Sequence, residues 1–151
     1  MRFTILSFAA LASSVTAVGN AIVKNNSTST FYLWSVGSSV GPRQAIAPGG
    51  TYTEALHHDA TTGGIAIKIT KTNDGLYTGA PTQVFSYSLD GAQVWYDLST
   101  VFGEPFNGQR ITVASATGGT IDWPQGKNPG GSQVKVASSD GNVVFTAFKA
   151  G

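Results

Sequence analysis

The sequence predicts an all-β chain, a single sandwich or barrel of short strands. Three observations point there. Apolar and β-branched residues recur with period two between clusters of Gly, Pro, Asn and Asp. No stretch of ten or more residues keeps a helical period without a breaker. Charged residues make up 11% of the chain, against ~25% in an ordinary globular domain, which disfavours long solvated helices.

The strands follow in order. Ala21 to Lys24 is a first short strand, and Thr30 to Val36 a second, rich in aromatics. Gly41-Pro42 turns the chain into Gln44 to Ile46, and Pro48-Gly49-Gly50 into Thr51 to Leu56. After Gly63-Gly64, Ile65, Ile67 and Ile69 share one face of an alternating strand. Thr82 to Leu89 and Val94 to Asp97 are predicted to pair through a tight turn at Asp90-Gly91. Ile111 to Ala114, Gln133 to Ala137 and Val143 to Phe148 supply three more, the last two joined by a hairpin at Asp140-Gly141-Asn142. No repeat or linker divides the chain, so residues 18–151 form one domain.

The first 17 residues read as an address. Met1-Arg2 is basic, Phe3 to Ala12 is mostly apolar, and Val15 and Ala17 are the small residues that a signal peptidase needs. Cleavage is expected after Ala17, with Gly19 or Ala21 as neighbouring alternatives. The apolar run is too short to span ~30 Å of hydrocarbon, so no membrane partner is expected after cleavage. Behind such a leader, the overlapping sequons at Asn25 and Asn26 become candidate glycosylation sites.

Several function classes fall away. Nine basic side chains include Arg2, so the remaining chain balances eight basic against eight acidic groups. That balance excludes a nucleic-acid partner, which would need a basic excess. Without cysteine there is no disulfide, thiolate chemistry, Cys-ligated zinc or iron–sulfur cluster. His57-His58-Asp59 has too few convergent ligands for a metal, and neither metal nor cofactor is expected. No nucleophile elbow or phosphate loop is present.

Five blocks occur in sequence: Phe31 to Gly37, Pro48 to Glu54, Gly63 to Ile69, Val94 to Phe106 and Pro129 to Val136. Together they resemble the fungal antigenic thaumatin-like proteins, the group of the Blastomyces yeast-phase-specific protein and the CetA-like conidial proteins. The resemblance implies a thaumatin-like antiparallel β-sandwich, secretion, and a place in the fungal wall or medium. It implies no defined catalytic activity, although some larger thaumatin-like proteins bind β-1,3-glucan in an acidic cleft. This chain departs from the pattern twice. Ser27, Thr28, Ala137 and Ala147 stand in neighbourhoods where relatives carry cysteines. Of the acidic cleft, Tyr96-Asp97-Leu98-Ser99 keeps one carboxylate, while Phe102 and Ser86 stand where larger members place a second Asp and a Glu.

The expected function is therefore a secreted, non-catalytic module at the fungal cell wall or surface that binds wall carbohydrate such as β-glucan. Apolar sugar faces stack on aromatic planes, so the candidate binding residues are Asp97, Trp123, Trp34 and Tyr32. Trp123, in Asp122-Trp123-Pro124, is expected in a loop as an exposed platform, while Tyr32 and Trp34 share one strand face. Two other readings compete. One is a weak β-glucan hydrolase using Asp97 and Glu104, whose carboxyl groups would have to lie roughly 5–9.5 Å apart. Against it, Asp97 also suits a strand-end cap. The other is a secreted effector or antigen that binds a host protein.

Overall fold

A computed structural model describes residues 17–151. The expected leader, apart from Ala17, lies outside the described residues. The remainder forms eleven strands and one helical turn. These are β1 (Asn20–Asn26), β2 (Phe31–Val36), β3 (Gln44–Ile46), β4 (Thr51–Ala55), β5 (Ile65–Thr70), α1 (Gly75–Thr78), β6 (Thr82–Asp90), β7 (Gln93–Val101), β8 (Gln109–Ser115), β9 (Thr120–Trp123), β10 (Lys135–Ser138) and β11 (Val143–Ala150).

The strands form two sheets, in the orders β4-β1-β11-β8-β9 and β10-β7-β6-β5-β2-β3. Every named pair is antiparallel except β1 with β11. Alternation determines which side chains point inward. Ile65, Ile67 and Ile69 are buried, as are Phe85 and Tyr87 and, on β7, Val94, Tyr96 and Leu98. The five-stranded sheet answers with Val23, Ile111, Val113, Val143 and Phe145. Phe85 and Phe145 stack across the interlayer at 6.2 Å. Phe106, from the loop after β7, plugs the end of the core, edge-on to Phe31 at 5.6 Å and 5.9 Å from Phe145.

The Asp90-Gly91 turn is as expected, with Asp90 opposite Gln93 and a positive φ at Gly91. Three expectations are corrected. Asp140-Gly141-Asn142 is not a hairpin: β10 and β11 belong to different sheets, so the turn carries the chain from one layer to the other. β7 runs on to Val101, which puts Asp97 in mid-strand rather than at a strand-end cap. The segment around Trp123 is a strand, β9, paired with β8.

Just before β2, polar bonding ties the strands together. Asn25 is fully buried, donating through Nδ2 to the carbonyls of Ser29 (2.9 Å) and Ile46 (2.8 Å). Its Oδ1 accepts from the backbone N–H (3.0 Å) and the hydroxyl (2.6 Å) of Ser27. A buried amide whose groups are all paired holds β1, β2 and β3 together without a covalent link.

Candidate functional site

The outer face of the six-stranded sheet is where the chain gathers exposed apolar and polar groups. Alternation along β7 sends Trp95, Asp97, Ser99 and Val101 outward, because Val94, Tyr96 and Leu98 must face the core. Register sets Trp95 between Val136 of β10 and Ser88 of β6, and Asp97 opposite Ser86. Trp95, Asp97, Ser86, Ser88 and Val134 line a shallow depression of about 130 Å³. Trp95 is 43% exposed. Oδ1 of Asp97 is enclosed and has no hydrogen-bond partner among the described residues. An enclosed carboxylate oxygen without a donor is a costly arrangement.

The stripe ends at Phe102, 72% exposed with φ +63°. A non-glycine residue held in the left-handed region and turned into solvent is unfavourable on both counts. Sequence reasoning placed neither Trp95 nor Phe102 among the binding residues. The period of β7 already gave Trp95 the same face as Asp97; only the inward choice of Val94 and Tyr96 was missing.

Of the expected binding residues, three share this outer face. Asp97 sits in the depression. Trp34 and Tyr32 lie on β2, three strands across, about 14 Å away at ~4.8 Å per strand. Trp34 is only 2% exposed. Tyr77 of α1 stands edge-on to it at 6.3 Å, and Gly75 packs on Thr70, so α1 roofs this part of the face. Tyr32 is half-buried under the Arg43 guanidinium, 5.6 Å from its ring. Trp34 therefore offers no open ring, and Tyr32 offers a partly covered one. Trp123 is corrected outright: it is fully buried, facing the core from β9. Its neighbour Asp122 points outward and forms a two-pronged ion pair with Arg110 at 2.9 and 3.0 Å, which fixes the parity of the strand.

The proposed catalytic pair is not brought together. Four residue steps of extended strand, ~13 Å, separate Asp97 from Val101. Gly103 then packs on Pro81, beyond the strand end, and Glu104 accepts the backbone N–H of Asn128 at 2.9 Å. His57-His58-Asp59 is a surface loop with structural duties. Asp59 caps it by accepting backbone N–H groups of Ser38, Thr61 and Thr62, which hold its carboxyl far below the ordinary range. Nδ1 of His57 lies 3.4 Å from Glu54 and 3.2 Å from the Tyr87 hydroxyl.

Comparison with known proteins agrees with this fold. The family model of the Blastomyces yeast-phase-specific protein matches residues 8–149. The antigenic thaumatin-like protein of Arthroderma benhamiae is 32% identical over 109 residues, 68% of this chain and 54% of that protein. The secreted thaumatin-like protein calA of Emericella nidulans is 30% identical over 83 residues, 55% of this chain and 46% of that protein. The chain thus spans about half the length of these curated relatives. Among solved structures, the protein elicitor MoHrip2 from Magnaporthe oryzae superposes with a TM-score of 0.69 at 26% identity, covering 85% of this chain and 97% of that one. The thaumatin-like xylanase inhibitor TLXI superposes at 0.59 with 9% identity, covering 84% and 97%, a likeness of fold alone. The protein is extracellular or wall-associated, in keeping with relatives named as an antigenic and a secreted thaumatin-like protein. With the family model matched over nearly its whole length and a sandwich shared with thaumatin-like structures, the chain belongs to the family of the Blastomyces yeast-phase-specific protein.

Proposed function

We propose that this secreted thaumatin-like protein is a non-catalytic module that binds wall carbohydrate, such as β-glucan, on the outer face of its six-stranded sheet. The observation that carries this reading is the 43% exposed Trp95 in one depression with Asp97, Ser86 and Ser88. A sugar ring offers an apolar C–H face for the indole and hydroxyls for the carboxylate and for Ser86 and Ser88. Phe102 gives a second aromatic contact at the far end of the stripe. The leader ends at Ala17 in this reading. Gly19 supports it, since Gly19 packs on Gly141 and bonds Ser139, and cleavage after Gly19 or Ala21 would remove that contact.

The test is retention of the mature protein, Val18 to Gly151, on insoluble β-1,3-glucan and chitin, with released sugar assayed in the same tubes. Retention without sugar release is expected. Trp95→Ala should weaken it about tenfold or more, the equivalent of ~1.4 kcal/mol. Asp97→Asn should weaken it too, and Glu104→Gln should not. No retention on either polymer sinks the carbohydrate reading. Sugar release abolished by Asp97→Asn would replace it with a hydrolase.

A second reading, a secreted effector that binds a host protein, is favoured by the likeness to an elicitor and by the exposed Val101 and Phe102. It predicts a Phe102-dependent response when the protein is infiltrated into leaf tissue, independent of glucan retention.

A further inference from the structure

The two sequons overlap, and the fold separates them. Alternation along β1 turns Ala21, Val23 and Asn25 inward and Ile22, Lys24 and Asn26 outward. Asn25 is 0% exposed, and each hydrogen of its Nδ2 is donated to a carbonyl, one of Ser29 and one of Ile46. That nitrogen is the atom an N-glycan occupies. A sugar there would displace one of the two bonds and put a ring into the junction of β1, β2 and β3. Asn26 is exposed on the outer face of the five-stranded sheet, opposite Phe148 in the register with β11. Its sequon is completed by Thr28, also exposed.

We propose that Asn26, and not Asn25, is an N-glycosylation site of this protein. The donor is a lipid-diphosphate-linked oligosaccharide in the secretory pathway. Nδ2 of Asn26 attacks the anomeric carbon of the first N-acetylglucosamine. The bond from that carbon to the phosphate oxygen breaks, an amide proton is lost, and the lipid diphosphate leaves. Transfer occurs on the unfolded chain, where both asparagines are open. A chain modified at Asn25 cannot close its β1–β3 junction and is held back, so the secreted pool carries the glycan on Asn26. The position has a geometric consequence. The outer face of the five-stranded sheet bears the glycan, and the stripe from Trp95 to Phe102 lies on the opposite side of the sandwich. The glycan therefore leaves that stripe open, whatever binds it.

The overlap allows a clean test. Ser27→Ala removes only the Asn25 sequon, and Thr28→Ala removes only the Asn26 sequon. The full chain with its own leader is expressed in a secreting yeast. Secreted protein is treated with endoglycosidase H, which leaves one N-acetylglucosamine on the modified asparagine, and its peptides are mapped by mass spectrometry. The expected result is wild type tagged at Asn26, Ser27→Ala still tagged there, and Thr28→Ala secreted untagged. A tag on Asn25, an untagged secreted wild type, or a tag surviving in Thr28→Ala overturns the proposal. Ser27 also bonds Asn25, so if Ser27→Ala is not secreted, the wild-type map and Thr28→Ala decide alone.

Discussion

Two tryptophans show how burial divides residues that the sequence treats alike. Trp123 is sealed in the core, and Trp95 stands at the edge of an open depression. Replacing a buried tryptophan by alanine removes its apolar transfer energy and leaves a cavity, together about 3–5 kcal/mol. Urea unfolding should therefore show Trp123→Ala losing about that much, while Trp95→Ala loses clearly less, about 1 kcal/mol from its cross-strand contacts. Equal losses for the two would contradict the burial described. Phe102 offers a third case. Glycine relieves a left-handed backbone, so Phe102→Gly should stabilise the fold by up to about 1 kcal/mol while weakening whatever the stripe binds. A stabilised variant with unchanged binding would leave the strain there without a use. Trp123 was misjudged from sequence because the following proline suggested a loop, and a four-residue strand gives too little alternation to reveal its parity. Asp97 was named as a candidate from sequence, but its neighbours on β6 and β10 depend on pairings that the linear text does not contain.

At the level of elements, the two sheets are tied by a polar clamp at the open edge of β4. Glu54 accepts a hydrogen bond from Tyr52 on its own strand (3.1 Å) and from Tyr87 on β6 of the other sheet (2.8 Å). Burial first, and then the Glu54 charge and hydrogen bond, push the Tyr52 hydroxyl up to about 12 and raise Tyr87 further in the same direction. Both phenols are thus favoured neutral in the folded state. Their contribution is fully present below the unfolded tyrosine value of about 10 and is lost as pH rises through the folded values. Chemical stability should hold steady toward pH ~10 and decline above it, and Tyr87→Phe should flatten that decline. A decline as steep in Tyr87→Phe as in wild type would assign it to other groups. No part of this clamp was legible beforehand: Glu54 and Tyr87 are thirty-three residues apart and meet only because β4 and β6 face each other across the interlayer. The β6–β7 hairpin, by contrast, was readable from Asp90-Gly91, since a tight turn and the alternation on both sides are local.

For the whole molecule, closure depends on the first and last strands. β1 lies between β4 and β11, and β11 joins β1 to β8 through the one parallel pairing, Ala21 opposite Val143 to Asn26 opposite Phe148. Local signals predict hairpins, so the sequence suggested that β11 follows β10 as a neighbour; its true partner is at the other end of the chain. The family resemblance supplied the sandwich, while this long-range closure belongs to the folded state alone. With no cysteine, nothing covalent holds that closure in the unfolded chain. Deleting Val143 to Gly151 removes Phe145, which contacts both Phe85 and Phe106, and separates the β4–β1 pair from the β8–β9 pair. Such a protein should lose its near-ultraviolet circular dichroism and its cooperative unfolding transition altogether, rather than melt a few degrees lower. The intact mature chain should refold with a principal phase on the millisecond-to-second scale of strand-rich topologies, because loop closure between its ends precedes the contacts that reward it. Reductant should change neither result. A truncated chain that still unfolds cooperatively would mean that the β8–β9 pair docks on the six-stranded sheet unaided, and that the parallel pairing is an addition to the fold rather than its keystone.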